Sequence, residues 1–142
     1  MDLSSVNWLA VAACVLFSML SGFIWYSPKT FFLVWWKGIG KAEGEEPGKG
    51  SMGLTWALTV LSSLVQAVFM SLFVAALGDI APGGPNLASG ALTGFLLWFG
   101  FIAPTYLVNK LFAGHGFDIW AIEAGNHLLN FVVFGAILGA WR

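Results

Sequence analysis

Charge is the scarcest resource in this sequence: six Lys and Arg and seven Asp and Glu make up 9% of 142 residues, where a water-soluble domain carries about a quarter. A surface so short of charge excludes a globule bathed in water and points to lipid as the solvent. The net charge of -1 and the pI near 6.0 also exclude a nucleic-acid binder, because phosphate recognition needs clustered Lys and Arg. Cysteine is limited to Cys14, which has no partner for an internal disulfide. With only His115 and His127 beside it, no multi-cysteine metal framework can form, and neither metal nor cofactor is expected. The flank Met1-Asp2-Leu3-Ser4-Ser5 lacks a basic n-region, so the first apolar run reads as a retained helix and not a cleaved leader. Catalytic signatures are missing too. There is no HExxH, GxSxG or P-loop, and Asp79, Asp118 and Glu123 are not spaced as an acid and base pair, so no enzyme is expected.

What the chain has instead is apolar length: 58% hydrophobic residues and a mean hydropathy of +0.83. Four runs, 7–26, 53–77, 87–112 and 119–141, each approach the roughly 20 helical residues that cross a hydrocarbon layer of about 30 Å. Breaker-rich connectors separate them, around Gly44 to Gly48, Pro82 to Pro85 and Ala113 to Asp118. The predicted fold is all-α, a single membrane domain of four transmembrane helices spanning 1–142. Residues 29–38, which contain TFFLVWWK between Lys29 and Lys37, are too short to span and predict an amphipathic helix in the interface. Tryptophans mark depth at the headgroup level. Trp8 and Trp25 bracket the first span, and Trp120 and Trp141, 21 residues apart, bracket the fourth at a separation of about 31 Å. Lys29, Lys37, Lys41 and Lys49 follow the first span and Lys110 precedes the last connector, against Arg142 alone on the other side. The positive-inside rule then puts the first and third connectors in the cytoplasm and both termini outside it.

Polar groups within the spans are where function would reside, because each is costly in hydrocarbon unless paired or hydrated. On the fourth span Glu123, Asn126, His127 and Asn130 recur at i, i+3, i+4 and i+7, so one helical face carries all four. Thr105, Tyr106 and Asn109 on the third span, Ser18 and Ser21 on the first and Gln66 on the second reach similar depths, and Pro104 frees a carbonyl in the third. Three readings compete. The stripe is interhelical glue, with Glu123 paired to His127 or Lys110; or a proton or ion site centred on Glu123 and His127, with Asn126, Asn130, Asn109 and Thr105 around it; or a haem or pigment site using His127 as axial ligand. Gly90 with Gly94, and Gly135 with Gly139, form two GxxxG patterns that let helix backbones approach closely, inside the bundle or between subunits.

The elements Asn7-Trp8-Leu9-Ala10-Val11, Trp25-Tyr26-Ser27-Pro28 and Gly135-Ala136-Ile137-Leu138-Gly139-Ala140-Trp141 resemble an uncharacterised family of small bacterial four-helix membrane proteins. The resemblance covers nearly the whole chain, implies a bacterial inner-membrane location and brings no activity with it. The expected function is therefore an interaction or accessory protein of the lipid bilayer, acting as a homo-oligomer or beside a larger membrane complex. A small oligomeric channel or proton-coupled transporter is the alternative, and a pigment or haem carrier the third.

Overall fold

The computed structural model describes residues 3–46, 48 and 50–142. Met1 and Asp2, in the flank of the first span, and Pro47 and Lys49, in the first connector, lie outside them. The helices are α1 (Trp8–Trp25), α2 (Phe32–Gly38), α3 (Met52–Gly78), α4 (Leu87–Leu97), a π-helical turn (Trp98–Ile102), α5 (Ala103–Phe112) and α6 (Phe117–Ala140). Among the described residues four helices, counting α4 to α5 as one, are long and apolar enough to cross a membrane. With Leu9 70% exposed, Phe23 72% and Phe112 91%, the bundle turns large side chains outward that only lipid or another apolar partner could cover.

Local chemistry sets the helix ends. The Asn7 side chain accepts from the Leu9 and Ala10 N–H groups at 3.1 Å each and so caps α1, while its amide reaches the Trp141 carbonyl at 3.4 Å, tying the two termini together. Asn86 and Ser89 form a capping box at the start of α4. At the far end of α1, Pro28 stops the helix. The Thr30 hydroxyl then folds back to the Trp25 carbonyl at 2.7 Å, and α2 begins at Phe32, three residues after the start of the 29–38 helix expected from the sequence.

The third span is one apolar run in sequence but two helices in space. Pro104 has no N–H, and its ring crowds the carbonyl four residues back. The chain widens one turn in response, and the Ala103 N–H bonds to Trp98 O, five residues back. The turn takes up one residue more than an α-helix of the same rotation.

α6 is the hub, packing on every other helix. Its tightest seam is with α4. A Cβ on Gly90 would strike the Gly135 carbonyl, and one on Gly94 the Phe131 carbonyl; Gly135 and Gly139 would strike the carbonyls of Gly90 and Asn86 in turn. Both GxxxG patterns therefore face each other within one chain. The apolar core, with Phe134, Met70, Val11, Val74 and Cys14 at its centre, fills the half of the bundle nearer the termini. The half nearer the lysines is built differently.

Candidate functional site

In that lysine-rich half the α6 stripe turns inward. Glu123, about 9 Å along α6 from Phe117, holds Lys110 Nζ with one carboxylate oxygen at 2.8 Å and accepts the Trp35 indole N–H with the other at 2.8 Å. The acid and base side chains are only 12% and 18% exposed. A pair so shielded is strong only because both oxygens have partners, since desolvation otherwise outweighs the attraction. One turn deeper, the Tyr106 hydroxyl meets His127 Nε2 at 2.8 Å, their rings 4.9 Å apart. Deeper again, the Ser21 hydroxyl donates to Asn130 Oδ1 at 2.6 Å, and the Asn130 amide lies 3.4 Å from Asn126 Oδ1. One turn along α1, Ser18 donates to Ser63 of α3 at 2.9 Å. A chain of polar contacts thus links α1, α2, α3, α5 and α6.

Two buried nitrogens of this polar cluster, His127 Nδ1 and Asn126 Nδ2, have no hydrogen-bond partner among the described residues. They are the chemically open points of the cluster, because a buried donor left unmatched is costly.

Thr105 and Asn109 do not join it. The Thr105 hydroxyl donates to the Phe101 carbonyl of its own helix at 2.6 Å, and Asn109 is exposed with no side-chain partner among the described residues. The π-helical turn is the reason. Counted in unbroken α-helix, Thr105 returns to the face of Gly94 after eleven residues, close to three turns. The extra residue of the wide turn hands that face to Tyr106 and Lys110 instead.

The family DUF1761, described as a protein of unknown function, matches residues 9–139. The chain belongs to this family. No curated protein and no solved structure matches it. The DUF1761 match takes in nearly the whole of all four spans and every residue of the polar cluster.

Within this DUF1761 chain the Trp-Tyr-Ser-Pro element closes the lysine-rich end. The Trp25 indole donates to the Ile122 carbonyl at 2.9 Å, and the Tyr26 ring meets Trp35 edge-on at 5.1 Å. Trp98 donates to the Ala124 carbonyl at 2.8 Å and Trp120 to the Ala103 carbonyl at 2.9 Å. These indoles, with that of Trp35, are the partners that a depth-marker reading of tryptophan passes over. The usable signal is that a buried indole N–H needs an acceptor.

Proposed function

We propose that this DUF1761 chain is a small membrane-embedded interaction or accessory protein without catalysis of its own, working through helix association as a homo-oligomer or beside a larger membrane complex. The observation that carries the reading is the interhelical pairing of three of the four α6 stripe residues: Glu123 is held by Lys110 and Trp35, His127 by Tyr106 and Asn130 by Ser21. Groups so paired hold a bundle together and leave its outer faces for partners. The lysine-rich end, with Lys29, Lys37, Lys41 and Lys110, faces the cytoplasm of a bacterial inner membrane, with both termini outside.

The test is purification from native membranes into lipid nanodiscs, followed by native mass spectrometry and an absorption spectrum. The reading expects an assembly of defined stoichiometry that Glu123→Gln and His127→Ala weaken. It is abandoned if the chain is monomeric and partnerless, or if those variants assemble normally while abolishing a transport activity. Proton-coupled transport is the second reading, favoured by the unmatched His127 Nδ1 and Asn126 Nδ2 beside the Glu123 pair. Its signature is a pH-dependent liposome flux that disappears in Glu123→Gln.

A further inference from the structure

Where α1 ends at the lysine-rich side, the chain bends around a cleft of about 490 Å³ lined by Phe23, Ile24, Ser27, Pro28, Lys29 and Thr30. The two ends of the cleft differ in chemistry. Phe23 and Ile24, 72% and 62% exposed, lie up to about 3 Å inside Trp25 along α1, at the edge of the hydrocarbon. Lys29 comes four residues after Trp25, past the end of the helix, where the headgroups begin.

Carbonyls at a helix C-terminus repel an anion, but here the turn has taken them. The Gly22 carbonyl accepts the Tyr26 N–H at 3.0 Å, that of Ile24 the Ser27 N–H at 3.2 Å, that of Trp25 the Phe31 N–H at 3.2 Å and that of Ser27 the Thr30 N–H at 3.0 Å. The Ser27 and Thr30 hydroxyls bond each other at 3.1 Å. Lys29 is the exception. The ion pairs among the described residues engage Lys41 and Lys110, so the Lys29 ammonium has no carboxylate, and its backbone N–H has no acceptor among the described residues. Trp25, the ring that depth alone would set beside the headgroups, turns its indole inward to the Ile122 carbonyl and leaves the outer edge to Lys29. The cleft thus presents apolar surface below and free donors with a positive charge above, and no acidic residue lines it.

We propose that this cleft binds one anionic phospholipid of the leaflet the lysines face, its phosphate on the Lys29 ammonium and N–H and an acyl chain along Phe23 and Ile24. Charge complementarity selects the headgroup. A zwitterionic lipid brings an ammonium for which the cleft holds no carboxylate, whereas a net negative lipid matches the uncompensated lysine, a preference of roughly fivefold for one lysine at a membrane surface. The apolar wall selects a lipid over a soluble phosphate, which would leave Phe23 and Ile24 unused. The site stands apart from the interaction reading above, because it takes a lipid and not a protein chain.

The test titrates the full-length chain in detergent micelles with phosphatidylglycerol or phosphatidylcholine of the same acyl chains, and native mass spectrometry counts the lipids retained. The first phosphatidylglycerol should bind roughly fivefold tighter than the first phosphatidylcholine, and Lys29→Gln should remove that ratio. Lys37→Gln takes the same charge from an exposed lysine of α2 outside the cleft and should keep the ratio. Phe23→Ala should weaken both lipids alike, by roughly fivefold. All three side chains are exposed, so misfolding does not confuse the result. Equal binding of the two lipids by the parent, a ratio that survives Lys29→Gln, or one that Lys37→Gln removes as fully overturns the proposal. So does a Phe23→Ala chain that binds as the parent does, or displacement of the lipid by inorganic phosphate at the same concentration. A chain that assembles with a partner but shows no headgroup preference overturns this proposal alone. A preference kept by a monomeric, partnerless chain supports the lipid site and removes the interaction reading.

Discussion

Adding one methyl group to the α4 and α6 seam is the sharpest perturbation this bundle offers. In Gly135→Ala the new Cβ meets the Gly90 carbonyl, with the Gly94 nitrogen 3.2 Å away. Both belong to backbone held in the α4 hydrogen-bond ladder, so neither can rotate aside as a side chain would. The helices must part by roughly 1 Å, and a gap of that size forfeits about a quarter to a half of the dispersion energy of each contact it opens. Overpacking of this kind costs about 1 to 3 kcal/mol. Gly22→Ala in α1 is the matched control. A Cβ there meets nothing within 4 Å, and replacing a helical glycine by alanine stabilises by about 1 kcal/mol. Because both substitutions share that gain, the two variants should differ by the overpacking cost, roughly 1 to 3 kcal/mol, with Gly135→Ala the less stable. Reversible unfolding in mixed detergent micelles, followed by far-UV circular dichroism, reads the difference. If Gly135→Ala unfolds together with Gly22→Ala, the close approach of the two backbones is not what holds α4 to α6.

Glu123→Gln should destabilise by roughly 3 kcal/mol, because Lys110 is left shielded without a counter-charge; unfolding of Glu123→Gln combined with Lys110→Met should recover most of that, and failure to recover would deny the pair its structural role. Tyr106→Phe leaves His127 Nε2 buried and unmatched, for a loss of about 1 to 3 kcal/mol in the same assay; a variant as stable as the parent counts against that bond. Cysteine labelling should reach Ser51→Cys only from the cytoplasmic side and Ser89→Cys only from the other, and the reverse pattern would invert the topology. The Ala42 N–H, and then Lys41, hold the Glu45 carboxyl below its ordinary value, so this turn is at full strength above the usual glutamate pKa of about 4.3 and loosens as pH falls through the lowered one. Hydrogen exchange at the Ala42 amide should accelerate only on that acid side, and exchange that does not change with acid would refute the contact.

The four spans were legible because bilayer thickness imposes a length that hydropathy alone reveals. The α6 stripe was legible for a similar reason, since the spacing of Glu123, Asn126, His127 and Asn130 is helix arithmetic within one element. Its partners were less so. Lys110 was a candidate for Glu123, but Trp35 was assigned to an interfacial helix and not to the carboxylate. The polar face of the third span was not legible, for a more specific reason. Thr105 and Asn109 lie on the face an unbroken α-helix would present, and no hydropathy period records the residue absorbed before Pro104. The glycines show the remaining limit: GxxxG announces close approach, but whether Gly90 and Gly94 meet Gly135 and Gly139 of the same chain depends on how α4 and α6 are arranged in space.

The π-helical turn also bears on how the length of this chain can vary. Five residues there make about the rotation that four make in an α-helix. Removing Gly100 and exchanging Pro104 for alanine would straighten the third span while leaving Gly90 and Gly94 above, and Tyr106 and Lys110 below, on the sides that meet α6. The same deletion within the glycine seam would instead turn part of that seam away. Trp98–Ile102 is thus the place where family members one residue shorter can keep both halves of the span in register, and where sequence alignments of them should open a gap.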